Sequence, residues 1–483
     1  MQARVKVYII YIMRNCDTHK WANLGRAGPL LTLAGFLFAG PAQAAGHLEP
    51  SGHPLGLWAV GLFIVAYALV ISEEFTRLKK STPVLVASGL IWMLVPLVAR
   101  QDAADGAIVL DAARESLLDY GELLLFLLAA MTYVNALSER QVFAALRGWL
   151  ALRGFNLRVL FWVTGILSFF LSAAIDNLTT ALVMGGVLLG ISSNRRFLTL
   201  SCINIVVAAN AGGAWSAFGD ITTLMVWQAG RVDFFEFFAL FWPSLIGYFV
   251  TAACLHLALP SGLQVETPGH AVVLRRGGLG VVVLFALTLT TAVSFQEFLG
   301  LPPVMGMMLG LGYLKVYGHH LREPGARRDA SGVGDQTPFD VFSYIARAEW
   351  DTLLFFYGVI LCVGGLAAMG YMELLANMSY VSLGPTTANI LVGIASAVVD
   401  NIPIMAAVLE MDPLMSHGQW LLVTLTAGIG GSLLSIGSAA GVALMGQARG
   451  NYTFFSHLRW TPAIALGYGA SIGAHLLVNR ALF

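Results

Sequence analysis

The chain has 483 residues, 57% hydrophobic and only 11% charged, with a mean hydropathy of +0.75. Soluble domains carry roughly 25% charged residues, so an ordinary soluble enzyme and a disordered scaffold are excluded. Lys plus Arg and Asp plus Glu both number 27, leaving no basic excess to attract nucleic acid. A polytopic protein of the lipid bilayer remains.

Residues 1–54 read as an N-terminal extension. Arg26 precedes a short apolar run, Pro29 to Ala39, then Pro41-Ala42-Gln43-Ala44, a signal-peptide pattern with an A-x-A site. Some 25 residues lie ahead of it, so translation is expected to begin at Met13 or later.

Apolar segments of spanning length follow at about 55–72, 83–99, 121–137, 235–258, 278–295, 301–317, 350–370 and 460–479. Four others are interrupted. Asp176-Asn177 breaks 159–193 and Asp400-Asn401 breaks 385–411. Clusters of Gly, Ser, Thr and Asp break 199–228 and 418–447. Reading the first pair as re-entrant hairpins and the second as broken spans puts 18 Lys and Arg in inner loops and four outside. That asymmetry obeys the positive-inside rule. The polar stretch 318–347 is expected to be a cytoplasmic loop.

Motifs recur in order. Ser172-Ala-Ala-Ile-Asp176-Asn177 returns as Ser396-Ala-Val-Val-Asp400-Asn401. Gly212-Gly213 with Ala217 and Gly219 returns as Gly430-Gly431 with Ser435 and Gly437. Glu122-Leu-Leu-Leu-Phe126 resembles Asp351-Thr-Leu-Leu-Phe355. Five spans per half would turn the second half upside down. The expected fold is an all-α polytopic membrane protein, an inverted repeat with re-entrant helical hairpins and broken helices. The repeats are expected at 55–277 and 278–483.

A carboxylate at mid-membrane costs roughly 2.5–3.5 kcal/mol. A helix N-terminus returns about 0.3–2 kcal/mol per anion. Dipoles therefore do not account for Asp176, Asp220 and Asp400; a bound cation or a proton would. The tips could also be plain helix caps. Oxygen-only ligands suit a hard ion such as sodium or lithium. Thr222 and Thr223 beside Gly219-Asp220 offer hydroxyls, as do Ser435 and Ser438, unless these positions only pack helices. Asn204, Asn210 and Ser396 are either packing residues or supports of the site. Glu122 opens the third span, as a solvated helix start or an access gate. His256 and His475 lie in spans as satisfied histidines or pH sensors. The cysteines Cys16, Cys202, Cys254 and Cys362 form no C-x-x-C, and no zinc site, catalytic centre or cofactor is expected.

At these motifs the sequence resembles the NhaD-type sodium/proton antiporters of the ion transporter superfamily. The resemblance rests on Ser172–Leu182, Asn210–Thr223, Glu349–Leu366, Ser396–Pro403 and Gly430–Met445, in order from about residue 55 to the end. It implies exchange of sodium or lithium for protons across a bacterial inner membrane. It also implies roles for Glu122, Asp176, Asn177, Asn210, Asp220, Thr222, Thr223, Ser396, Asp400, Asn401, Ser435 and Ser438. Cation and proton would compete for the aspartates, and exchange would rise with pH. A homodimer is compatible. Two rivals stay open. A sodium-coupled carboxylate or arsenite-type permease shares the architecture, but the aspartates would repel an anion unless cations bound first. An intramembrane aspartyl protease needs a G-x-G-D motif, which Ala217-Phe218-Gly219-Asp220 lacks.

Overall fold

A computed structural model describes residues 54–76, 78–99, 105–260, 274–328 and 339–483. The signal-like segment lies outside the described residues. The fold is all-α and polytopic. Nine helices among the described residues are long and apolar enough to cross a membrane.

The helices are α1 (Pro54–Ile71), α2 (Ser81–Val98), α3 (Asp105–Glu139), α4 (Val142–Leu152), α5 (Leu157–Ile175) and α6 (Asn177–Ile191). Next come α7 (Arg195–Gly213), α8 (Ile221–Gln228), α9 (Phe241–Leu257), α10 (Gly278–Leu299) and α11 (Pro303–Arg328). The chain ends with α12 (Trp350–Ala368), α13 (Pro385–Ala395), α14 (Asn401–Met411), α15 (His417–Gly430), α16 (Ala439–Gln447) and α17 (Thr461–Val478).

All four interruptions fall where the polar motifs lie. The α5–α6 pair turns at Asp176 and the α13–α14 pair before Asn401. The α7–α8 and α15–α16 pairs are helices unwound across 214–220 and 431–438. Polar side chains also start α5 and α7. Asn156 accepts the amide of Val159 at 2.8 Å and Asn194 that of Phe197 at 2.9 Å.

Two expectations change. Glu122 does not open its helix: α3 begins at Asp105, because the stretch ahead of Glu122, though it carries Asp105, Asp111, Arg114, Glu115 and Asp119, belongs to the same helix. Helix α11 runs on to Arg328 and a short helix covers Val341–Ala346, so the expected loop at 318–347 is partly helical.

The helices pack as two groups. In one, α2 lies between α1 and α12, and α3 packs on α10, α11 and α12. In the other, α5 and α6 pack on α7, α13 on α15, α9 on α17, and α7 on α15 and α16. Helix α7 is buried almost throughout, as the centre of the second group must be. The groups meet chiefly where α12 packs on α14.

The motif repeat is also a repeat of contacts. Ser172 Oγ donates to the carbonyl of Ala209 at 2.6 Å, and Ser396 Oγ to that of Ala427 at 2.8 Å. Each bond ties a hairpin arm to a broken helix. A Cβ on Gly213 would lie 2.6 Å from the carbonyl oxygen of Gly219, and one on Gly431 2.6 Å from that of Gly437. Both unwound stretches therefore fold back on a bare backbone.

Candidate functional site

The residues after each hairpin turn converge on one carboxylate. Asn177 and Asn401 occupy the first positions of α6 and α14. Their Nδ2 groups donate to the same oxygen, Oδ2 of Asp220, at 3.1 and 2.8 Å. Asp220 is only 4% exposed and sits at the start of α8. Thr223 closes that start: its hydroxyl donates to the Asp220 carbonyl at 2.7 Å and accepts the Asp220 amide at 3.2 Å. Unsatisfied buried polar atoms are costly, so these bonds fix the unwound segment.

Asn210 joins the halves. Its Nδ2 donates to Ser432 Oγ at 2.8 Å and Ser438 Oγ at 2.9 Å. Its Oδ1 accepts from Asn177 at 3.1 Å. Ser438 begins α16 at φ −143° and ψ 148°, close to the φ −146° and ψ 155° of Asp220. The two broken helices thus restart alike, one with a carboxylate and one with a hydroxyl.

The hairpin aspartates differ. Asp176 accepts from the Thr179 amide at 2.7 Å and the Thr179 hydroxyl at 2.9 Å, capping α6. Its backbone stands at φ 107° and ψ 159°, a region left essentially to glycine. The strain there is of order 1–3 kcal/mol, and a cap returns typically ~1 kcal/mol. Asp400 caps nothing, and its Oδ1 is buried with no hydrogen-bond partner. The hydroxyls of Thr222 and Ser435 are likewise buried and unpartnered.

A cavity of about 100 Å³ is lined by Asp176, Asn177, Asp220 and Asn401. Its other walls include Phe126, Phe218 and Phe356 from both helix groups, and it extends to Lys80, Arg347 and Glu349. Asp400, Thr222, Thr223, Ser435 and Ser438 are not among its lining residues. Among the described residues, no three His, Cys, Asp or Glu gather as a metal cluster. The three aspartates are thus spread among amides and hydroxyls rather than joined in one acidic set.

Of the supporting residues, Asn210 is part of this network. Ser396 ties a hairpin arm to α15. Asn204 donates to the carbonyl of Phe161 at 2.9 Å and so holds α5 on α7. Glu122 is half-buried on α3 outside the lining. His475 Nε2 is bonded to the carbonyl of Gly418 at 2.9 Å, and His256 Nδ1 accepts from Trp162 at 3.2 Å. Lys80 and Glu349 of the cavity wall and Ser432 of the Asn210 network were not legible as site residues. Ser432 lay next to Gly431, and Glu349 at the head of the Glu349–Leu366 stretch, both inside stretches that carry the resemblance, whereas Lys80 carries no motif.

Broken helices around a buried polar centre place the chain among secondary transporters rather than enzymes. Comparison with known proteins narrows this. The citrate-transporter (CitMHS) family model matches residues 67–428. The chain is 54% identical to the Na(+)/H(+) antiporter NhaD of Alkalimonas amylolytica, over 92% of this chain and 96% of the relative. It is 53% identical to that of Vibrio cholerae, over 89% and 93%. Sodium/proton antiporter 1 of Arabidopsis thaliana is 32% identical, over 87% and 72%. The chain belongs to the NhaD-type sodium/proton antiporter family and matches the citrate-transporter family model.

Proposed function

We propose that this protein exchanges sodium for protons across a bacterial inner membrane, with lithium accepted in place of sodium. The carrying observation is the convergence of Asn177 and Asn401 on Asp220 beside a cavity that Asp176 also lines. Relatives named as Na(+)/H(+) antiporters, more than half identical over the aligned residues, support the same reading.

Cation and proton compete for Asp176, Asp220 and Asp400. Amide and hydroxyl oxygens of Asn177, Asn401, Thr222, Thr223, Ser435 and Ser438 supply neutral ligands to a hard cation. Glu122, Asn210 and Ser396 support this set. The cation is substrate, and no cofactor takes part. The core, presented to each side in turn, carries a cation one way and a proton the other. A proton gradient directed inward then expels sodium, and exchange rises with pH as protons leave the shared carboxylates. The halves 55–277 and 278–483 serve as inverted repeats that give the core its two facings. A homodimer is compatible with this scheme.

The test is dissipation of a pH gradient in everted membrane vesicles on adding sodium, lithium and potassium in turn between about pH 7 and 9.5. A sodium or lithium response that Asp176→Asn and Asp400→Asn lack supports exchange. A full response in both variants removes shared carboxylates from the mechanism.

A second reading is sodium-coupled uptake of a carboxylate. It is favoured by Lys80 and Arg347 on the cavity wall and by the description of the matching family model. Labelled citrate uptake in the same vesicles, with no cation-dependent proton movement, would select it.

A further inference from the structure

Helix α17 is preceded by a buried histidine that the reading above does not use. His457 is fully buried in the short helix Phe454–Leu458. Its Nε2 lies 2.8 Å from the carbonyl oxygen of Ser432, and its Nδ1 2.7 Å from the hydroxyl of Tyr452. A carbonyl can only accept, so Nε2 carries the proton and donates. Nδ1 therefore accepts from the Tyr452 hydroxyl, the tautomer being set by the Ser432 carbonyl. Thr461 Oγ1 donates to the next carbonyl, Leu433, at 2.8 Å. Two consecutive carbonyls of the unwound stretch 431–438 are thus held by one chain segment.

That stretch leads to the site by an unbroken series of bonds. Ser432 Oγ accepts from Asn210, Asn210 Oδ1 accepts from Asn177, and Asn177 donates to Asp220, at 2.8, 3.1 and 3.1 Å. The geometry points to His457 as a positioning residue of the cation site, acting through Ser432 and Asn210. It holds the Ser432 carbonyl, and with it the direction of Ser432 Oγ. That direction decides where Asn210, shared with Ser438, presents its oxygen to Asn177. The inference rests on the exchange reading.

The experiment is the sodium concentration for half-maximal exchange in everted vesicles, with the maximal rate measured alongside. His457→Phe keeps a ring but removes both bonds. It should raise that concentration about tenfold, the size of one buried hydrogen bond, with the maximal rate little changed. His457→Gln has a donor and an acceptor and should recover most of the loss. Wild-type half-saturation in His457→Phe overturns the proposal. So does a lower maximal rate at unchanged half-saturation, or an equal shift in the Gln and Phe variants, since packing alone would give either. If His457→Phe fails to reach the membrane, Tyr452→Phe decides: a half-saturation about threefold higher is expected, and an unchanged one overturns it. A wild-type protein that answers no cation overturns the exchange reading itself and this proposal with it. That outcome is recognised in the control alone.

Discussion

Asp176 and Asp400 end equivalent hairpin arms, yet Asp176 is bonded twice to Thr179 while Oδ1 of Asp400 touches no donor. One carboxylate holds its helix in place and the other does not. Substitutions should separate the two duties. Asp176→Asn keeps a capping side chain, whereas Asp176→Ala loses it, so the alanine variant should be less stable by about 1 kcal/mol. Asp400→Asn should leave thermal stability unchanged or raise it, because Oδ1 has no hydrogen-bond partner to lose. All three should fail to exchange sodium. Melting in detergent and vesicle assays read the two effects independently.

The shared oxygen of Asp220 makes a second prediction. Asn177→Ala and Asn401→Ala each remove a donor to a buried charge, an interaction of about 1.5–3 kcal/mol. Each should raise the sodium concentration for half-maximal exchange at least tenfold. Because both amides meet at Oδ2, the double variant should not show the sum. Strict additivity in a double-mutant cycle would mean the amides act on separate groups.

The bare backbone at the unwound stretches gives a third. Gly213→Ala and Gly431→Ala each push a methyl within 2.6 Å of a carbonyl oxygen that belongs to backbone and cannot swing away. Overpacking costs typically 1–3 kcal/mol. Both variants should melt earlier, while Gly61→Ala, where a Cβ meets open space, should not.

His457 supplies a pH dependence of stability. Burial lowers its pKa to about 4, against an ordinary value near 6.5. Above the ordinary value neither folded nor unfolded chain binds the proton, and stability is complete. As pH falls from about 6.5 toward 4, the unfolded chain takes up a proton that the folded one refuses. Stability is then lost at up to about 1.4 kcal/mol per pH unit. His457→Gln should flatten this part of the melting profile between about pH 6.5 and 4.5. An unchanged slope in that variant would assign the dependence to other groups.

Much of this molecule was legible because a charge inside an apolar stretch is conspicuous. Asp176, Asp220 and Asp400 each marked a break in a helix, and the Gly-rich clusters within 199–228 and 418–447 marked the two broken spans. The convergence of Asn177 and Asn401 on Asp220 was not legible, since hydropathy says nothing about which tips face each other. The unequal company of Asp176 and Asp400 was hidden too: the same Asp-Asn pair can cap or not, and the Thr at position 179 has Pro403 as its counterpart. His457 was invisible because its acceptor is a backbone carbonyl 25 residues away. Glu122 misled because α3 begins with a stretch too polar to count as a span, although it is helical.

Asp220 and Ser438 begin their helices with nearly the same backbone angles. The scaffold therefore provides two seats of like backbone geometry, only one of which bears a charge. Which half holds the acid is a choice of side chain that the chain path does not impose. A protein carrying Asp220→Ser together with Ser438→Asp would keep both helix starts and move the negative charge from one seat to the other. Geometry supplies the pair of seats; a single carboxylate breaks their equivalence and gives the membrane-buried centre a direction.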